Sequence, residues 1–289
     1  MIRKPLLAAV MVLALVTMAC GINFNLPVRE IKTGPTVTED LMVPLLEDST
    51  AIADVTLSFG AGEMTLSGGA EDALITGTIL YNVADFKPDV TTVGDNVEVE
   101  QGNLNIQGIP DFDENIKNEW DLKFGSAPMR LQINAGAYNG DFDFGGLSLH
   151  DLEISDGASD VDVDFSEPNP VEMDVFQYST GASDINIKNL ANANFDTMIF
   201  RCGAGSYTLD FSGELQRDAT VTIESGISNI EIIVPEGVSA RVTFEGGLSN
   251  VDADGEWDRS GNDYTMSGEG PTINIIVTLG AGNLQLRNR

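Results

Sequence analysis

The chain has 289 residues, of which 42% are hydrophobic and 7% aromatic, and its formal net charge at pH 7 is −30. A surface this acidic repels phosphate backbones and anionic lipid headgroups, which excludes nucleic acid as an expected partner and opposes direct adhesion of the protein body to a membrane. The hydrophobic fraction is that of a globular domain, and 30 glycines with few aromatic residues favour short strands over a helical core.

The amino terminus has the organisation of a secretory signal. Arg3 and Lys4 precede an apolar run at residues 6–18, and residues 1–19 predict a cleaved signal peptide. Cys20 lies where bacterial lipoproteins carry their lipidated cysteine, so we expect a protein attached to the bacterial cell membrane through this residue. The alternative is an uncleaved anchor helix, for which the run is short, since about 17 to 25 apolar residues are needed. Both alternatives place the rest of the chain outside the cytoplasm.

The remaining chain divides into three regions. Residues 20–50 contain three prolines and no sustained alternation, which predicts the lipidated cysteine followed by a tether. Residues 51–130 start with one repeat-like copy and continue as ordinary alternating strands, which predicts an N-terminal β region and cap. Residues 131–289 carry regular repeats, and an insertion at 252–271 interrupts them.

A repeat of about 22 residues runs through the chain, as in stacked repeat folds. In each copy two apolar residues precede a glycine by five and three positions, and in seven of eight copies two more follow it by four and six. We call these the leading pair, the corner glycine and the trailing pair. The corner glycines are Gly60, Gly136, Gly157, Gly181, Gly203, Gly226, Gly247 and Gly280.

The spacing of the two pairs predicts a bend at the glycine. Seven residues separate the second leading position from the first trailing position, and this odd number would expose the trailing pair of a straight strand. Both pairs can be buried only if the chain turns a corner between them, where we expect glycine to supply backbone freedom. The sequence therefore predicts an all-β fold, a right-handed β-solenoid of short two-strand rungs with atypical caps at its ends.

Polar residues alternate with the trailing pairs and form the main candidate binding surface. Carboxylate and amide oxygens suit cations, a basic partner protein or the hydroxyls of a polymer. The alternative is a solvated outer sheet that is kept from aggregating by its charge. The candidate residues are Asp141, Asp143, Asp160, Asp162, Asp164, Asp184, Asn186, Thr208, Asp210, Asn229 and Glu231.

Metal ions, cofactors and catalysis are not predicted. No EF-hand loop or glycine-rich calcium nonapeptide occurs, so only weak surface binding of calcium stays open. His150 is the single histidine and is predicted to be structural or on the surface, and Cys202 lies between apolar repeat positions, which predicts a buried, inert thiol. A carbohydrate-active enzyme is the alternative, because glycoside cleavage needs only two carboxylates. A cleft holding two carboxylates beside a basic group would favour the enzyme, and a flat face would favour binding.

The insertion offers a second candidate surface. Trp257 and Tyr264 lie within it, and aromatic rings of this kind could stack on a sugar or seat a partner. An aromatic hairpin that closes the end of the solenoid would explain the same two residues.

Several stretches resemble the bacterial toast-rack and putative-adhesin domains, relatives of the extracytoplasmic part of cell-wall-active antibiotic response proteins. They are SFGAGEMTLSGGA at 58–70, YNV at 81–83, NEWDL at 118–122, IIVPEGV at 232–238 and LGAGNL at 279–284. The resemblance implies a β-solenoid-like module that faces the envelope, with no catalytic residues to carry over. Response proteins of that group have transmembrane helices, and this chain has none after its signal.

These observations together predict an exported lipoprotein that displays a solenoid for binding, adhesion or scaffolding at the cell envelope. The expected partners are the membrane, through the lipid, and an envelope protein or cell-wall polymer. A carbohydrate-active enzyme and an envelope-stress sensory module are the alternatives.

Overall fold

The computed structural model describes residues 28–48, 50–102, 109–111 and 115–289. The predicted signal peptide at 1–19 and Cys20 lie outside the described residues. The chain forms two compact units, one of Met1–Lys32 with Asn105–Glu114 and the other of Thr33–Leu104 with Asn115–Arg289. In the first unit two three-residue strands, Val28–Glu30 and Ile109–Asp111, pair in parallel.

The structure is dominated by strands, and the described residues contain no α-helix, only short 3-10 turns at Ala84–Phe86 and Leu190–Ala193. Within these described ranges no helix is long and apolar enough to cross a membrane. The predicted all-β class is confirmed. The strands are β1 (Val28–Glu30), β2 (Val37–Pro44), β3 (Ala53–Gly68), β4 (Ala73–Tyr81), β5 (Pro88–Val93), β6 (Asn96–Gln101), β7 (Ile109–Asp111), β8 (Asn118–Phe124), β9 (Met129–Asp143), β10 (Leu149–Asp164), β11 (Met173–Lys188), β12 (Phe195–Asp210), β13 (Ala219–Val234), β14 (Ser239–Asp254), β15 (Asp258–Ser260), β16 (Asp263–Met266) and β17 (Thr272–Asn288).

Eight long strands are the rungs of the second unit, and they stack side by side in parallel. Their spatial order is β3, β9, β10, β11, β12, β13, β17 and β14. Each rung is a single strand that runs through its corner glycine, whereas the sequence predicted two short strands per rung. The register aligns the corners of neighbouring rungs: Asp156 pairs with Thr180 before the glycine, and Ala158 with Ala182 after it.

Each rung bends at its glycine, so that its two halves face one core. The rings of Phe200 and Tyr207 lie 5.4 Å apart, centroid to centroid. Seven residues of straight strand would separate their positions by about 23 Å. These two residues belong to the leading and trailing pairs of the same rung, and both are fully buried. The shared core that the predicted β-solenoid requires is therefore present.

The corner glycines are required by close stacking of backbones, and the predicted reason, backbone freedom, was wrong. None of the eight has a positive φ. A Cβ on Gly181 would instead lie 2.4 Å from the carbonyl oxygen of Gly157, and one on Gly203 would lie 2.4 Å from that of Gly181. Because the obstacle is the backbone of the adjacent rung, it cannot move aside as a flexible side chain would. Each glycine thus leaves room for the rung beside it.

The C-terminal rungs do not follow chain order. The last strand, β17, lies between β13 and β14, so β14 is the terminal rung. The insertion forms the antiparallel hairpin of β15 and β16, and β16 pairs with β14 only at residues 240–243. The hairpin covers the leading half of the terminal rung, and the chain then returns to fill the slot between β13 and β14.

The N-terminal end is closed by a rung that is split in two. β6 pairs with the leading half of β3 and β8 with its trailing half, so on the side away from β9 no backbone corner stands beside Gly60. Two buried amide side chains occupy that place: Gln101 Oε1 accepts from Gly60 N at 2.8 Å and from Asn118 Nδ2 at 2.8 Å. Antiparallel strands β4, β2 and β5 extend the sheet beyond the split rung.

We expect Gly181→Ala to destabilise the fold more than the same change in the terminal rung. The new methyl group would lie 2.4 Å from Gly157 O, whereas in Gly247→Ala it would lie 3.2 Å from Gly280 O. Overpacking of this kind costs about 1–3 kcal/mol. Urea denaturation and thermal melting of the two variants would measure the difference.

Gly247→Ala is the matched control, since both changes restrict the unfolded chain equally. If Gly181→Ala proved as stable as Gly247→Ala, the glycines would not be needed for stacking.

Candidate functional site

The candidate polar residues lie in three straight columns on the outside of the trailing halves, a surface that we call the trailing face. The columns are formed by the third, fifth and seventh residues after each corner glycine, at the roughly 4.8 Å spacing of neighbouring strands. The structure brings together all eleven residues singled out in the sequence. The first column holds Asp160, Asp184 and Asn229, the second holds Asp141, Asp162, Asn186, Thr208 and Glu231, and the third holds Asp143, Asp164 and Asp210.

Part of this surface is satisfied by its own hydrogen bonds. Asp162 Oδ1 accepts from Lys188 Nζ at 3.0 Å and from Asn186 Nδ2 at 2.7 Å. The hydrogen bond from Lys188 is the main cause that lowers the pKa of Asp162, and Asn186 adds to it. In the third column, Asp143 accepts from Ser166 Oγ at 2.7 Å and Asp164 from Asn189 Nδ2 at 2.7 Å. These carboxylates hold the rungs and turns in place.

Three carboxylates remain available for a ligand. Asp141, Asp160 and Asp184 are exposed and make no side-chain hydrogen bond or ion pair within the described part of the chain. Asp160 stands directly beside Asp184, and a shallow depression of about 320 Å³ opens between Asp160 and Asn139. Like charges in neighbouring strands repel each other, so a cation or basic group placed here would relieve that repulsion. No cluster of three metal-ligating side chains occurs among the described residues.

A groove on the leading halves was not singled out in the sequence. It encloses about 410 Å³ and is lined on one side by Asp54, Arg130 and Asp151. Arg130 lies between the two carboxylates, at 3.1 Å from Asp54 Oδ1 and 3.2 Å from Asp151 Oδ2. Outward positions of the leading halves stack like those of the trailing halves, so the same column analysis could have found this group.

The inner side of the corners carries a row of polar side chains that also escaped the sequence analysis. In three rungs a hydrogen bond joins the residue before the glycine to the residue two positions after it. These pairs are Asp156 with Ser159, Thr180 with Ser183, and Ser225 with Ser228. Each pair spans the glycine and ties the two halves of the bend together. The repeated pattern of Asp, Thr or Ser, then Gly, a small or apolar residue and Ser is the signal that could have revealed it.

Asp156, in β10 at one end of this row, accepts several hydrogen bonds. Its Oδ2 accepts from Tyr178 Oη at 2.9 Å and from Tyr138 Oη at 3.3 Å, while its buried Oδ1 has no hydrogen-bond partner. Burial is the largest cause that raises the pKa of the Tyr178 hydroxyl, so this phenol stays protonated and acts as a donor. An open groove of about 590 Å³ lies over Asp156 and continues past Thr180, Arg201 and Cys202.

Cys202 is buried, as the sequence predicted, with 7% of its surface exposed. Burial raises the pKa of its thiol. A thiol that is protonated and covered is a poor nucleophile.

The two aromatic residues of the insertion take part in the terminal hairpin. Tyr264 in β16 is buried to 3% exposure, and the Arg259 guanidinium carbon lies 5.2 Å from the centre of its ring. Trp257 is half-buried between β14 and β15. The buried Tyr264 ring contributes to the packing of the cap and offers no open platform for a sugar, whereas Trp257 keeps part of its surface exposed.

Solved structures resemble this chain to different degrees, and one of them has a TM-score above 0.5. A Clostridium sporogenes structure described as a "putative cell adhesion protein" matches with a TM-score of 0.52 and 20% identity, covering 88% of this chain and 100% of that chain. A "putative adhesin" from Bacteroides fragilis matches at 0.41 and 11%, covering 89% and 99%. A "putative lipid binding protein" from Parabacteroides distasonis matches at 0.40 and 10%, also covering 89% and 99%. No curated protein gives a significant match.

The family comparison covers the N-terminal cap and the first rungs of the stack. The model described as the N-terminal domain of toast_rack, DUF2154, matches residues 32–177, just over half of the chain. That range contains the split rung, β3, β9, β10 and the first residues of β11. Because this model matches more than half of the chain, the chain belongs to the toast-rack family.

Proposed function

We propose that this protein is an exported lipoprotein, anchored through Cys20, whose solenoid binds an envelope protein or a cell-wall polymer without catalysing a reaction. The observation that carries the proposal is the trailing face, where stacked rungs hold Asp141, Asp160 and Asp184 in fixed columns with unpaired carboxylates. A rigid row of acceptors at strand spacing can engage several basic groups or hydroxyls at once. Such multipoint contact gives useful affinity even where each contact is weak.

The family and the fold support a binding role. The structure with a TM-score above 0.5 is described as a cell adhesion protein, and its chain is covered completely. The likeness at 20% identity concerns the fold, so the ligand is inferred from this chain's own surface. The amino-terminal pattern of a basic start, an apolar run and Cys20 supports export and lipidation.

A carbohydrate-active enzyme is the second candidate, because the leading-half groove holds two carboxylates beside a basic group. In that groove Arg130 bonds both Asp54 and Asp151. Glycoside cleavage needs one carboxylic acid that donates a proton and a second carboxylate that acts on the sugar or on a water molecule. This groove meets the criterion that the sequence analysis set for the enzyme, although one guanidinium holds both carboxylates in an ion-pair network.

Cys20→Ser should move the protein from the membrane fraction to the soluble extracytoplasmic fraction, since no thiol remains for lipid attachment. Cys202→Ser is the matched control and should stay with the membrane. Fractionation, with mass spectrometry of the mature amino terminus, would measure both. Retention of Cys20→Ser in the membrane would favour the uncleaved anchor helix.

The combined change Asp141→Asn, Asp160→Asn and Asp184→Asn should weaken binding to isolated wall polymer or to solubilised envelope proteins by tenfold or more. The reason is that these carboxylates are unpaired and lie together on one face. Saturable binding of the mature body would be measured with calcium and with a chelator. Release of sugar fragments from the polymer would contradict the proposal and favour the enzyme.

The matched control removes the same charge elsewhere: Asp89→Asn, Asp174→Asn and Glu71→Gln, all of which are exposed and outside the columns that contain the three unpaired carboxylates. Binding by this control should stay within twofold of the parent. If both triple variants lost affinity equally, net charge and not the trailing face would be responsible.

A further inference from the structure

The terminal rung β14 has an edge that is only half covered. Its inner edge pairs with β17 along the whole strand, from Ser239 to Asp254. On the outer edge β16 pairs at residues 240–243, and Phe244 N donates to Asn262 O at 2.9 Å. Within the described residues no strand pairs with the outer edge at 245–254, which we call the open edge. An uncovered strand edge presents backbone donors and acceptors to any strand that approaches it.

The hydrophobic core of the stack is also incompletely covered beside the open edge. Val251 and Ala253 occupy the trailing-pair positions of β14, where Val251 is half-buried and Ala253 exposed. The equivalent Leu284 and Leu286 of the adjacent rung are both 0% exposed. One more strand laid against the open edge would bury Val251 and Ala253 as the inner rungs bury their own pairs.

A groove beside the open edge contains a buried polar group without a partner. The groove encloses about 250 Å³, and Phe244, Val251 and Tyr264 line it together with several polar residues, among them Asn250 and Arg259. Tyr264 is 3% exposed, and its hydroxyl makes no hydrogen bond in the described part of the chain. Buried hydroxyl groups are normally paired, so this one indicates a site that a ligand completes.

The charge around the open edge indicates what kind of strand fits. Asp252 and Asp254 point outward from it with 61% and 82% of their side chains exposed. Arg287 is shared among these two carboxylates and Glu231, at 3.4, 3.9 and 3.5 Å. Glu245 is exposed as well. A single guanidinium does not neutralise the acidic side chains along the open edge. The edge therefore attracts Lys and Arg and repels a second copy that carries the same acidic side chains.

We propose that the open edge binds an extended strand of another protein in which apolar residues alternate with lysine or arginine. The incoming backbone would extend the sheet beside β14, as in β-strand addition. Its apolar side chains would cover Val251, Ala253 and the groove, its basic side chains would face Asp252 and Asp254, and a polar group of the strand would pair with the Tyr264 hydroxyl.

The test uses a labelled peptide of alternating lysine and valine, long enough to span residues 245–254, and fluorescence polarisation with the mature chain. Saturable binding is expected, together with slower amide exchange at 245–254. A peptide of the same composition with its lysines and valines in separate blocks should bind at least tenfold more weakly. A glutamate–valine peptide should not bind.

Ala253→Arg and Tyr264→Phe separate the edge from nonspecific attraction. Ala253→Arg places a large cation on an exposed position and should reduce peptide affinity at least tenfold without unfolding the chain. Tyr264→Phe removes an unpaired hydroxyl, so it should leave the melting temperature unchanged or higher while weakening binding several-fold. Ile276→Thr, an exposed change on β17, is the matched control and should bind within twofold of the parent.

Three results would overturn this proposal. They are equal binding of the alternating and block peptides, no change in exchange at 245–254, or self-association of the chain that Ala253→Arg abolishes, which would make a second copy the occupant. The site is distinct from the three carboxylates of the proposed function. The triple variant of Asp141, Asp160 and Asp184 should therefore retain peptide binding, and either proposal can fail while the other stands.

Discussion

At the corner glycines the carbonyl of one rung fills the space that a side chain would need in the next. This contact lets every strand bend at the same level without leaving the ladder, and hydrogen bonds such as Ser225 to Ser228 tie the bend from inside. Because one rung can turn only where its neighbours turn, the glycine column fixes a single register for the whole stack. The same register aligns the outward residues into columns, so the trailing face is a direct consequence of the corner.

The sequence predicted the bend and the two buried pairs because odd spacing cannot be satisfied by a straight strand. It did not predict why glycine is needed, since a close approach between rungs far apart in sequence leaves no local pattern. The order of the last rungs was hidden for a related reason: the copies at Gly247 and Gly280 have the same local spacing. Only the smaller trailing pair, Val251 and Ala253 against Leu284 and Leu286, marks β14 as the rung whose trailing half has no strand beyond it among the described residues.

The candidate surfaces were likewise predictable where they depend on one strand and unpredictable where they depend on contacts between strands. Alternation was enough to place the eleven polar residues on one face, because each outward position is set within its own strand. Which of them are unpaired depends on contacts between rungs and turns, such as Asn189 with Asp164, and those contacts cannot be inferred from spacing. The leading-half groove around Arg130, and the hydrogen bond from Tyr138 to Asp156, likewise join residues from different rungs. Sequence periodicity therefore predicts on which face of the sheet a side chain lies, but it does not predict which side chains of neighbouring rungs it contacts.

The two ends of the stack solve the problem of exposed edges differently. At the N-terminal end, Gln101 and Asn118 replace a missing corner with buried amides, and antiparallel strands follow. At the C-terminal end the hairpin of β15 and β16 covers the leading half of β14. Within the described residues no strand covers the open edge, and its acidic side chains are what oppose pairing with another strand. Asp252 and Asp254 would face their own counterparts if two copies paired at this edge, so the row that attracts a basic strand also opposes self-assembly. An edge that is guarded by charge, and not by a covering strand, stays available to a partner of opposite sign.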